Sequence, residues 1–237
     1  MKETGMIFTT ESVRAMLDGR KTQTRRVIKP QLTCHCDKPD WRGEIIDWIG
    51  YKFEGRQGWF CYTCGNGLKH IDEYSAHGII CPYGQVGDRL WFKERHKLTR
   101  KSEGVICEYI SGEEIYYSWA DIPQKQRRML NRIKTWGKWR PAHFMYKFLA
   151  VHWGEITGVR VERLQEITPS DAIKEGHPTG DNIPRDGELW FRRKIADGKI
   201  RWFANLWDSL NAKRGYGWDT NPWVWVITFS TMGVRVK

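Results

Sequence analysis

The chain has 237 residues, 40% of them apolar, with a formal charge of +11 and fourteen tryptophans. That length and apolar content fit one elaborated domain with a real core. No apolar run approaches the ~20 residues of a membrane-spanning helix. The excess of Lys and Arg favours a polyanionic partner, nucleic acid or nucleotide ahead of a membrane surface. The first ten residues, MKETGMIFTT, lack the apolar stretch of a signal peptide, so a cytoplasmic protein is expected, with cysteines as thiols or metal ligands.

In chain order, Met6 to Thr9 is short and β-prone. Thr10 is expected to cap a helix over ESVRAMLD, with Val13, Met16 and Leu17 on its buried stripe and Gly19 as its stop. The second half of GRKTQTRRVIK predicts a strand. Residues 31–80 carry little periodicity and read as an irregular insertion. CPYGQVGD is a turn-rich hinge closed by Asp88, and RLWFKE a short strand ending at Glu94. Residues 97–140 read as a basic insertion of strands and loops, with a helix in DIPQKQRRMLNRI. Residues 121–147 hold eight Lys or Arg against one Asp. A period-2 strand is expected around Val159 and Val161. In TPSDAIKEG, Thr168 is the expected N-cap, Pro169 the first helical residue and Asp171 the third. A later helix near residues 200–211 would bury Phe203, Leu206, Trp207 and Leu210. NPWVWVITF predicts a final strand, apolar on both faces and central. Strands at both ends with helices between them predict an α+β fold.

Two constellations carry chemistry. In the first, Gly19, Lys21 and Thr24 sit at a helix-to-strand junction. If residues 22–26 are extended, Thr22, Thr24 and Arg26 share one face and Arg25 points away. Arg20, Arg25 and Arg26 surround Lys21 with positive charge, which lowers a lysine's pKa and suits it to act as a base. The same residues could equally make a solvated basic turn or a phosphate contact. In the second, Cys34-x-Cys36 and Cys61-x-x-Cys64 have the pairing of a closed zinc site, in which four thiolates would hold one structural Zn²⁺ and order the insertion. His35, His70, His77 and Cys81 are substitute ligands, and buried free thiols are the alternative. Cys107 reads as core. Arg127, Arg128, Trp136, Trp139 and Tyr146 interleave charge with aromatic rings, as a base-stacking surface does, or form core around a loop. His143 and His152 read as structural.

GRKTQTRR resembles the Gly-x-Lys signature of the ASCH family, which is similar to PUA domains, and also the matching stretch of small bacterial N4-acetylcytidine amidohydrolases. CPYGQVGDRLWFKE, VRVERLQEITPSDAIKEG and NPWVWVITF resemble larger phage and prophage ASCH proteins. The resemblance implies a single ASCH domain over residues 1–237, built on a small PUA-like β-barrel with insertions at about 31–80 and 97–140. By motif it places a base at Lys21, a nucleophile at Thr24 and a proton donor at Glu175. Arg20, Arg25, Arg26, Arg127, Arg128, Trp136 and Trp139 would contact nucleic acid. The expected ligand is RNA or a modified nucleoside, with main-chain N–H groups near Gly19 holding the oxyanion. A non-catalytic RNA-binding module and a phage accessory protein gripping a host partner are the competing readings. The chain is more than twice as long as the small amidohydrolases, so its insertions could reshape the pocket.

Overall fold

The computed structural model describes residues 1–29, 31, 48–53, 56–61, 80–178 and 189–232. The architecture is α+β. The main sheet has five strands in the order β1-β5-β10-β11-β2: β1 (Glu3–Ile7), β5 (Arg89–Lys93), β10 (Trp153–Arg163), β11 (Trp223–Met232) and β2 (Gln23–Val27). Only β1 and β5 run parallel; every other pairing in this sheet is antiparallel. A second sheet follows the order β8-β7-β6-β9, from β6 (His96–Arg100), β7 (Gly104–Tyr109), β8 (Glu114–Ser118) and β9 (Trp139–Arg140). β3 (Trp48–Phe53) and β4 (Arg56–Cys61) form an antiparallel hairpin, so part of the stretch read as irregular is regular.

The expected small barrel is replaced by an open sheet. β1 and β2 lie at its two ends, and no described strand pairs with the outer edge of either. A barrel requires those edges to meet.

Local signals explain most elements. The first helix, α1 (Thr10–Leu17), starts at the residue expected to cap it. Thr9 is the N-cap, and its hydroxyl accepts from the Ser12 N–H at 3.2 Å. Val13, Ala15 and Met16 are buried, while Leu17 is exposed. Gly19 follows at φ +72°, the left-handed turn that ends the helix. α2 (Gln124–Asn131) forms where its pattern predicts. α3 (Pro169–Lys174) carries the expected capping box: Thr168 Oγ1 accepts from the Asp171 N–H at 3.1 Å, and the Asp171 carboxylate accepts from the Thr168 N–H at 3.3 Å. α4 (Leu189–Asn211) extends well upstream of its predicted start. None of the described helices is long and apolar enough to cross a membrane.

The core has three parts. The first fills the space between α1 and the main sheet, where the Phe8, Phe92 and Phe229 rings meet at centroid distances of 5.1, 5.6 and 6.2 Å. Cys81 is buried there, and burial pushes its thiol up to about 11. The second part lies under the four-stranded sheet and holds Leu98, Cys107, Leu130 and Leu149. Burial raises the Cys107 thiol to about 12, so that side chain is an inert apolar filler. The third packs Ala172 of α3 and Phe203 and Trp207 of α4 onto β11.

His152 is not isolated. Its Nδ1 lies 2.8 Å from Glu94 Oε1, and its Nε2 lies 3.0 Å from Glu113 Oε1. Glu94 is wholly buried, and its second oxygen accepts from the Ser111 N–H at 3.2 Å. Burial alone would lower the His152 pKa, but the two carboxylates outweigh it and hold the imidazole above its ordinary value. This chain of ionisable groups ties the start of β10 to the turns that follow β5 and β7. Glu94 therefore pairs with His152. Asp88 closes its turn as expected, accepting from the Gln85 N–H at 3.0 Å.

Candidate functional site

The chain passes from α1 through Gly19 directly into β2. Lys21 N–H donates to Ala15 O at 2.8 Å, Thr22 N–H to Lys174 O at 2.9 Å, and Lys21 bridges to Glu175. The end of α3 is thus stitched to the start of β2. Gly176 makes the approach possible. It adopts φ +102°, and a Cβ on it would sit 3.1 Å from Ala15 Cβ and 3.3 Å from Lys21 Cβ. An L side chain here would strain the turn and press on Lys21.

Lys21 Nζ donates to Glu175 Oε2 and to the Glu175 carbonyl, both at 2.8 Å. The two residues are 3% and 4% exposed, so the ion pair is shielded from water. Burial pulls the Lys21 pKa below its usual value. Glu175 opposes this by favouring the ammonium form, while Arg26 and Arg25 add to the lowering. The effect foreseen from neighbouring arginines is therefore real but secondary to desolvation. The Arg20 guanidinium is taken up by Asp18 at 2.7 Å and by Gly176 O at 3.1 Å.

Arg25 departs from expectation. It does project from the opposite face of β2 to Arg26, which sits over the Phe8 ring at 5.0 Å and donates to Ile7 O. But α3 packs beside β2, so the long Arg25 side chain meets three carboxylates there. It reaches Glu162 at 3.0 Å, Asp171 at 3.3 Å and Glu175 Oε1 at 3.3 Å. Glu175 is therefore held at both oxygens, by Lys21 on one and Arg25 on the other. Burial would raise the Asp171 pKa, but Arg25, Thr168 and Arg160 bring it down to about 2.

Lys21, Thr24, Arg25, Arg26 and Glu175 all line one cavity of about 590 Å³. This volume suits a small-molecule site. The lining includes every residue from Thr24 to Lys29. Strand side chains alternate between faces, so an unbroken run can border a cavity only along a strand's free edge. β2 has such an edge. Thr24 faces Ile227 and Arg26 faces Trp225 across the ladder, while Phe229 N–H donates to Thr22 O and Ile28 N–H to Trp223 O. In this antiparallel alternation the even-numbered residues bond to β11. The N–H and C=O groups of Gln23, Arg25 and Val27 point outward.

The N–H of Gly19 donates to Met16 O at 3.0 Å and so is occupied, contrary to the oxyanion role expected near it. Phe203 and Trp207 of α4 form part of the opposite wall, continued by Leu206 and Leu210. This explains why Leu210, read as core, is 47% exposed. The far end of its stripe faces the cavity and not the sheet.

The other expected nucleic-acid contacts lie on or beside the second sheet. Arg127 is bound to main chain, donating to Ile122 O at 2.6 Å and Ala120 O at 3.3 Å. Trp136 packs on the second core under Arg100, whose guanidinium lies between Trp119 and Trp136 at 5.5 and 5.8 Å. Tyr146 stacks on Phe148. Trp139 is 43% exposed, and Arg128 is exposed. Of the cysteines read as zinc ligands, Cys34, Cys36 and Cys64 lie outside the described residues. Cys61 is the last residue of β4. Among the described residues there is no group of three or more His, Cys, Asp or Glu placed to hold a metal ion. No family model, no curated protein and no solved structure matches the chain.

Proposed function

We propose that the protein is an ASCH-type, PUA-like nucleotide- or RNA-handling enzyme that hydrolyses the N4-acyl amide of a modified cytidine. The carrying observation is the buried Lys21–Glu175 pair, which shares a cavity with Thr24. In this scheme Thr24 Oγ attacks the acyl carbonyl as its proton passes to the Lys21 amine. The carbonyl becomes an oxyanion that the outward N–H groups of the β2 edge, Arg25 among them, can receive. The C–N bond then breaks, and Glu175 gives its proton to the departing N4. Cytidine leaves, and the acyl group stays as an ester on Thr24. Water attacks the ester and yields its proton to the Glu175 carboxylate, while Lys21 returns a proton to Thr24. A carboxylic acid and the starting enzyme result. A shift of one proton from the Lys21 ammonium to the Glu175 carboxylate, across their 2.8 Å contact, gives the neutral amine and the protonated acid that begin the cycle.

Incubation with N4-acetylcytidine, followed by chromatography, tests this. The wild-type protein should release cytidine, and Thr24→Ala should lose at least about 10³-fold in kcat. Full-rate turnover by Thr24→Ala would exclude the mechanism.

A non-catalytic RNA-binding module is the second reading. The exposed Trp139 and Arg128 favour it, together with the eight cations of residues 121–147. It predicts RNA binding without release of cytidine. In either case four thiolates from Cys34, Cys36, Cys61 and Cys64 would close a structural zinc site. Protein purified without added zinc should then carry about one equivalent by metal analysis, and less than about half would argue against it.

A further inference from the structure

The cavity has a charge imbalance that its catalytic end does not use. Among the described residues five cationic side chains line it, Lys21, Arg25, Arg26, Lys29 and Arg214, against the one carboxylate of Glu175. Lys21 and Arg25 are neutralised by carboxylates, and Arg26 is turned onto Phe8 and Ile7 O. Lys29 and Arg214 are different. Both are exposed, and neither forms a salt bridge with any described carboxylate. The Lys29 ammonium lies 5.1 Å over the ring of Tyr216, two residues beyond Arg214. This contact brings the end of the β2 edge against the turn that follows α4. A strand rises ~3.3 Å per residue and Lys29 lies two residues past β2, so it stands at most about 16 Å from Thr24 along the chain. One end of the cavity is therefore the buried acid–base pair, and the other is a mouth with an aromatic ring and two cations that no described carboxylate neutralises.

We infer that the cavity takes a phosphorylated nucleotide in preference to a free nucleoside, with the base toward Lys21 and Glu175 and a phosphate at the Lys29–Arg214 mouth. The chemistry matches at both ends. Main-chain donors and acceptors alternate along the β2 edge, as a base edge requires, and Leu206 and Leu210 offer accessible apolar surface. The guanidinium of Arg214 can hold phosphate oxygens bidentately, with the Lys29 ammonium as a point charge beside it. The phosphate could belong to a free mononucleotide or to a link in an RNA strand. This deepens the cytidine reading above and rests on it for the identity of the base.

Binding of cytidine, cytidine monophosphate, a short oligocytidylate and inorganic phosphate would be followed by tryptophan fluorescence at low and moderate salt. The monophosphate should bind about tenfold or more tighter than cytidine, and the advantage should shrink with salt. In Lys29→Ala/Arg214→Ala protein that advantage should vanish, while Lys29→Arg/Arg214→Lys protein should retain most of it. Melting curves would verify that both variants fold. A further gain for the oligonucleotide would assign the phosphate to an RNA strand; equal affinity would assign it to a mononucleotide. Equal binding of cytidine and its monophosphate, no binding of either, or equal loss of both in the alanine variant would overturn the inference. The hydrolytic reading fails separately. A protein that prefers the monophosphate through these cations but never cleaves an N4-acyl group loses only its proposed reaction. One that cleaves acylated nucleoside and nucleotide with the same KM loses only the phosphate subsite.

Discussion

Glu175→Ala should destabilise the fold by about 3–5 kcal/mol, because it strands the Lys21 ammonium in a site that excludes water. Urea denaturation of wild type and variant would measure the loss, and a difference under about 1 kcal/mol would contradict the picture of a tightly coupled buried pair. The companion variant separates charge from shape. Lys21→Met combined with Glu175→Leu removes both charges and keeps the volume, so much of the lost stability should return. Arg25 would still hold Glu162 and Asp171, so the double change creates no isolated guanidinium. Turnover should not return, since neither a base nor a proton donor remains. A stable but inactive double variant beside an unstable single one is the expected signature. In the wild type the lowered Lys21 pKa has its own consequence: the scheme uses the one proton that Lys21 and Glu175 share, and that proton is lost as pH rises through the lowered value, so the rate should fall there.

Arg25→Ala should cost a similar amount, about 3–4 kcal/mol, and should also change the acid limb of stability. Three carboxylates converge on this side chain, which is itself inaccessible to solvent. The sign follows from Asp171. Its folded pKa is depressed to about 2, below the ordinary aspartate value near 3.8. The stabilising contribution is therefore complete above pH ~4 and disappears as pH falls from there toward 2. Without Arg25 the depression shrinks, although Arg160 stays 3.2 Å from the same carboxylate. The stability of the variant should accordingly depend less on pH between 4 and 2 than that of the wild type, as denaturation at stepped pH would show. Arg25→Lys should recover part of the stability only. A single ammonium cannot reach Glu162, Asp171 and Glu175 as the guanidinium fork does. If Arg25→Lys behaves like wild type in both stability and kcat, the arginine is not what orients Glu175.

What could be read from the sequence was local. The capping box at Thr168 and Asp171, the stop at Gly19 and the run of β11 each depend on a few adjacent residues, and each is present in the fold. Lys21, Thr24 and Glu175, singled out through the resemblance of GRKTQTRR and ITPSDAIKEG, all line one cavity, a convergence that no local pattern specifies. What escaped was set by tertiary partners. Arg25 looked directed away from the site because alternation gives the face of a side chain but not the helix that packs there. His152 looked solitary because Glu94 and Glu113 lie 58 and 39 residues away from it. The openness of the main sheet is a matter of which edges meet, on which periodicity is silent. Leu210 was read as core because a helical stripe does not reveal where the sheet beneath it ends. A signal for Gly176 did exist: a glycine directly after the expected acid, closing a short helix.

The pairing of β2 with β11 has a consequence for how the chain is made. Residues 23–27 align with residues 224–228, so about two hundred residues must leave the ribosome before β2 acquires a neighbour in its sheet. The Lys21–Glu175 bridge likewise spans 154 positions. About 150 residues are therefore added before β2 can meet α3, and about 200 before it can meet β11. Contacts of such sequence separation close late and make assembly slow. During that interval an apolar strand would invite pairing with other chains, and the charges of Lys21, Arg25 and Arg26 oppose it. The side chains that bring positive charge to the finished cavity thus also keep β2 solitary while the protein is being built.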